Sequence, residues 1–157
     1  MVKMMRKIAL VAFFLFTLSI PSAIALAADG VIEVKSEHSA KDTADRLERI
    51  LAQKGMTIFD RIPHSKSAAN VGVELRYTEL IIFGNPKVGS PLMKCEQSVA
   101  IDLPQKALVW EDSGGQVFIS YNDPRYLQKR HAISGCEEVL AKIEKALAGI
   151  THAAAMK

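Results

Sequence analysis

Thr78-Glu79-Leu80-Ile81-Ile82-Phe83-Gly84 is the most apolar run of the chain beyond residue 27. Its length and its β-branched content predict a central strand. Asn85-Pro86 follows at once, a helix cap with proline at the first position, and Ser90-Pro91 offers a second such pair. A short helix over 92–98 is expected to deliver Leu92, Met93 and Cys95 to the core. Upstream, Val31 to Lys35 reads as a short strand. Ser39 then caps a helix whose apolar positions Ala44, Leu47, Ile50 and Leu51 recur at helical spacing, and Gly55 ends it. Thr57 to Ile62 predicts another strand, closed by Pro63. The stretch 64–72 is either a turn or two of helix or a loop.

Downstream, Lys106 to Asp112 and Gln116 to Asn122 flank Asp112-Ser113-Gly114-Gly115, a hairpin signature. Asp123-Pro124 starts a short helical turn ending near His131. Ser134 with Glu137 forms a capping box for a long helix. Its stripe is Cys136, Val139, Leu140, Ile143 and Leu147, with Gly149 as its stop and 151–157 as a loose tail. Strand–helix–strand alternation does not persist, so the prediction is α+β: one domain over 28–150, order β-α-β-β-β-β-α, with short helices inserted. Its two long helices pack on one face of an antiparallel sheet.

Residues 1–27 read as a secretory signal peptide. Lys3, Arg6 and Lys7 precede an apolar run from Ile8 to Ile20, and Ala25-Leu26-Ala27 offers a cleavage site. That run is 13 residues long, short of the ~20 that span a bilayer, so no stable membrane span is expected after cleavage. The whole chain carries 20 Lys+Arg against 17 Asp+Glu, and those three leader residues are the entire excess. The remainder is electrically balanced. It lacks the basic surplus a nucleic-acid binder needs, and balance favours self-association into a homo-oligomer. Export implies a periplasmic or secreted location, where Cys95 and Cys136 are candidates for a disulfide; two unpaired buried thiols are the alternative.

Several motifs carry a resemblance: Thr78 to Met93, Asp102-Leu103-Pro104, Leu108-Val109-Trp110-Glu111-Asp112, Ser120-Tyr121-Asn122-Asp123-Pro124 and Arg130-His131. Ile62-Pro63-His64 and Val71 to Leu75 extend it. Over roughly residues 30 to 150 the chain resembles the domain-of-unknown-function family numbered 302. The resemblance implies a TATA-binding-protein-like fold, helices on one side of a curved sheet, and no established activity. Pro63 departs from the polar residue more usual before that His, and the cysteines lie outside the family pattern.

The residues themselves offer three candidate sites. A polar set of His64, Glu79, Tyr121 and His131 would hold a metal or haem through His64 and His131 only if folding converged them. Their spacing is no metal motif, and no cofactor is expected. Asn85, Lys87 and Gly89 sit at a helix start that could hold an anion. An apolar pocket between sheet and helices could be lined by Ile82, Met93, Trp110, Phe118 and Tyr121, with His64 or His131 as polar tip. The leading expectation is therefore a non-catalytic module for a small apolar or amphipathic ligand. The alternative is a small hydrolase or isomerase using His64 or His131 with Glu79 or Glu111.

Overall fold

Ser39 caps the first helix as expected, its side chain accepting from the Asp42 N–H at 3.2 Å. In the computed structural model, which describes residues 28–157, that helix is α1 (Ala40–Gln53). It follows β1 (Val31–Ser36) and precedes β2 (Thr57–Ile62), α2 (His64–Ala69), β3 (Thr78–Gly84) and α3 (Pro86–Cys95). A 3-10 turn (Gln97–Ile101), β4 (Gln105–Glu111), β5 (Val117–Asn122), α4 (Pro124–Arg130) and α5 (Glu137–Ala155) complete the order. The signal-peptide segment lies outside the described residues.

The five strands form one antiparallel sheet in the order β1-β5-β4-β3-β2. Strand alternation sorts its two faces. Glu79, Ile81 and Phe83 of β3 stand on the same face as Ala107 and Val109 of β4 and as Val117, Ile119 and Tyr121 of β5. These are buried beneath α1 and α5, together with Leu47, Leu51, Leu140, Ile143 and Leu147. The α+β architecture with both long helices on one face is thus as expected. The outer face carries Leu80, Ile82, Leu108 and a stack of Trp110 on Phe118, ring centroids 5.0 Å apart. Between β4 and β5, the Asp112 side chain accepts from the Gly114 and Gln116 N–H groups, and Gly115 takes the positive φ that closes the turn.

Three boundaries depart from expectation. First, the loose tail at 151–157 is mostly helix: α5 runs through Gly149 to Ala155, with Thr151, Ala154 and Ala155 buried. The stop rule for Gly149 fails because distant groups cap the helix end. Arg46 of α1 donates to the carbonyls of Ala153, Ala154 and Met156, and the Glu37 N–H donates to Ala155. α5 therefore continues past residue 150. Second, the capping box at Ser134 does not form. Cys136 is the N-cap, and Glu137 turns back to accept from the Gly135 N–H instead. Third, α3 begins at Pro86 rather than near Leu92, and it absorbs Ser90-Pro91 instead of restarting there. Asn85 supplies the cap, accepting from the Lys87 N–H at 2.9 Å.

Cys95, at the end of α3, and Cys136, at the start of α5, have Cα atoms 6.3 Å apart, with their sulfur atoms within reach of a disulfide. That separation lies inside the span such a bridge tolerates.

Candidate functional site

The cap at Asn85 sets the direction of α3, and the sequence of that helix opens a cavity. Pro86, Gly89, Ser90 and Met93 recur at positions i, i+3, i+4 and i+7, hence on one helical face. All four line a cavity of about 500 Å³. Opposite stand Lys142, Ile143, Ala146 and Leu147, two adjacent rows of α5. Phe83 and Gly84 at the end of β3, Met56 and Phe59 around β2, and Ala100, Leu103 and Pro104 before β4 close the rest.

Small residues keep this space open. A Cβ built on Gly84 would touch Phe59 at 3.4 Å, and one on Gly89 would lie 3.9 Å from Leu103. Leu92, on the flank of α3 beside that face and outside the lining, is buried in the core and fixes the helix there. The lining is almost wholly apolar, and its size is that of a small-molecule site.

Of the residues singled out from sequence, Met93, Asn85 and Gly89 meet in this cavity. The others do not. Trp110, Phe118 and Ile82 lie on the outer face of the sheet, away from the helices. Tyr121 is a core residue, 5% exposed, and burial pushes its hydroxyl pKa up. His64 is exposed at the first residue of α2. The N–H groups at the start of α3 are also taken: Lys87 donates to the Asn85 side chain, and Val88 and Gly89 donate to the Asn85 carbonyl. An anion there would find only the exposed Lys87 side chain.

Glu79 belongs to a separate network. Its carboxylate accepts from Arg61 Nε at 2.7 Å and Nη2 at 3.0 Å, and from the Tyr77 hydroxyl. Arg61 also reaches Asp45 at 3.0 Å and Glu48 at 2.5 Å on α1. Burial pushes Glu79 up, but the Arg61 and Tyr77 hydrogen bonds and the Arg61 charge outweigh it and leave its pKa lowered. Burial and the bond to Glu79 push Tyr77 up. Arg61 is shared by all three carboxylates, and the network fastens α1 to β2 and β3.

His131 forms the third cluster, and its carboxylate partner is Asp102, not Glu79 or Glu111. Its Nε2 donates to Asp102 Oδ2 at 2.6 Å, and its Nδ1 lies 3.0 Å from Ser98 Oγ. Arg130 also reaches Asp102, at 3.3 Å. Hydroxyl, imidazole and carboxylate in series invite comparison with nucleophilic catalysis. The electrostatics oppose it. The Ser98 N–H donates to Glu96 Oε1 at 3.0 Å, and that bond holds Glu96 low and hence ionised. The Ser98 N–H is thus already engaged and not free to meet a developing oxyanion. The cluster ties the 3-10 turn to the end of α4. Among the described residues no group of three or more His, Cys, Asp or Glu is arranged to hold a metal ion.

Sequence reasoning missed most of the cavity wall, including Phe59, Leu103 and Lys142. The spacing of Pro86, Gly89, Ser90 and Met93 was the available signal.

The profile of the family described as "Domain of unknown function DUF302" matches residues 32–150. Three curated proteins are each 38% identical over 122 residues, 78% of this chain. They are "Fluoride-specific ion channel FluC 1" of Brucella suis biovar 1, the protein of that name from Brucella abortus biovar 1, and "Fluoride-specific ion channel FluC 2" of Brucella melitensis biotype 1. The match takes up 48% of the first and 45% of the other two, so the chain spans about half the length of these relatives. A crystal structure of an uncharacterized conserved DUF302 protein from Bacillus stearothermophilus superposes with a TM-score of 0.73 at 22% identity. It covers 81% of this chain and 99% of that one. That likeness is one of fold.

Proposed function

We propose that this chain, which belongs to the domain-of-unknown-function family DUF302, is an exported, non-catalytic module that binds a small apolar or amphipathic ligand between α3 and α5. The carrying observation is the cavity of about 500 Å³ with its apolar lining. Filling such a space removes ligand and wall from water together, at about 25 cal/mol per Å² of apolar surface. Export is supported by the basic, apolar, small-residue order of residues 1–27. A paired Cys95 and Cys136 suits an oxidising compartment. We do not extend fluoride conduction to this chain. It matches under half of the relatives so named.

Met56 and Met93 line the cavity, whereas Met156 does not. Protein with 13C-labelled methionine methyls, purified without detergent and titrated with 1-dodecanol, should shift the Met56 and Met93 resonances and leave Met156 in place. Gly89→Leu, which points a side chain into the cavity from an ordinary helical position, should abolish those shifts while the folded spectrum persists. Equal shifts at all three methyls, or none at Met56 and Met93, would reject the reading.

A further inference from the structure

The cavity is apolar but not electrically neutral. Lys142 is the one charged residue in its lining. On α5 the neighbouring Ile143 and Leu147 are buried, Ala146 is half-buried and Lys142 is exposed. The helix thus presents a floor of aliphatic carbon with an ammonium at the rim. None of the ion pairs among the described residues includes Lys142, and Glu138, one turn earlier on the same helix, does not pair with it. The polar groups of Asn85 on the facing helix are already engaged, with the Lys87 N–H and the Gly55 carbonyl. The mouth therefore offers an unneutralised positive charge and no negative one.

We propose that the ligand is a single-chain amphiphile with an anionic head, of the fatty-carboxylate class, its tail between α3 and α5 and its head at Lys142 Nζ. This rests on the cavity being the ligand site. The lysine stem covers apolar wall while its ammonium stays wet, so the charge is presented without being desolvated. A carboxylate at the rim gains attraction and a charge-assisted hydrogen bond. A neutral hydroxyl head can accept from the ammonium but gains no attraction between opposite charges, and a cationic head is repelled. A volume of about 500 Å³ falls in the range of one compact ligand, which favours one chain over a two-chain lipid.

The test compares dodecanoate, 1-dodecanol and dodecyltrimethylammonium, each below its micellar concentration. Calorimetry and the Met56 and Met93 methyl shifts report binding to delipidated wild type, Lys142→Met and Lys142→Glu. Dodecanoate should bind wild type about three- to fivefold tighter than dodecanol, and dodecyltrimethylammonium more weakly than either. Lys142→Met should erase the preference while leaving dodecanol within about twofold, and Lys142→Glu should reverse it. High salt should shrink the wild-type preference and leave dodecanol unchanged. If the three heads bind wild type alike, or dodecanoate is still preferred by Lys142→Met, the role of Lys142 is refuted while the cavity stands. If none binds wild type, the cavity reading falls and takes this one with it.

Discussion

Replacing Arg61 by Met exposes what the network under α1 contributes. The Glu79 side chain is 11% exposed, and its carboxylate takes two N–H groups from Arg61. Without them it keeps only the Tyr77 hydroxyl, so a nearly buried anion loses its counter-charge. Breaking a fully buried pair this way costs about 3–5 kcal/mol. The Arg61 side chain is 25% exposed, and Asp45 and Glu48 are about two-fifths exposed, so solvent screens part of the interaction. We therefore expect about 2–3 kcal/mol, or roughly 6–12 °C in midpoint temperature for a domain of this size. Urea and thermal unfolding followed by circular dichroism give both quantities.

The pH dependence carries the sharper test. In wild type the Glu79 pKa is lowered below its unfolded value. The folded form then binds fewer protons, and the stabilisation is present above about pH 4.5 and lost as pH falls through the folded pKa. In Arg61→Met, burial dominates and raises that pKa, so the folded form binds the extra proton and acid favours it. The gap between wild type and variant should be widest near neutral pH and should narrow as pH falls through the variant's raised folded pKa and then through the lowered wild-type one. Adding Glu79→Leu to Arg61→Met removes the orphaned charge and should recover most of the loss, since an apolar pair can replace a buried ion pair. A loss under about 0.5 kcal/mol, or parallel pH profiles, would refute the argument.

Gly149 lies exposed inside α5, with nothing within 4 Å of a Cβ built on it. Gly149→Ala should therefore stabilise by about 0.5–1 kcal/mol in denaturant unfolding. Replacing Cys95 and Cys136 together by Ser opens a bridge between residues 41 apart and should cost up to about 4 kcal/mol, matched in wild type by adding reductant. Asp102→Ala leaves His131 without its 2.6 Å partner and Arg130 without its carboxylate. It should lower stability by about 1–2 kcal/mol and speed hydrogen exchange in the 3-10 turn more than in β3.

What was legible in the chain was whatever short-range rules govern. The Ser39 cap, the strand over Thr78–Gly84 and the Asp112 turn each depend on neighbours within a few residues, and each stands where expected. The end of α5 is different, because Arg46, over a hundred residues away, satisfies its carbonyls. No local reading of Gly149 contains that. The candidate site failed in a more instructive way. Phe118 and Tyr121 are three apart in one strand, so alternation alone sends them to opposite faces, and they could never line one pocket. Arg61, the charged partner of Glu79, lies 18 residues from it, and Asp102 lies 29 residues from His131, and nothing in those spacings singles them out.

The chain has a single tryptophan, and it stacks on Phe118 with its indole N–H donated to Ser120 Oγ at 2.7 Å, across the sheet from the cavity. Its fluorescence is therefore a channel of information independent of cavity filling. A titration that dims or shifts indole emission would mark an event on the outer surface, and a ligand lodged between α3 and α5 should leave that signal silent while the methionine methyls respond.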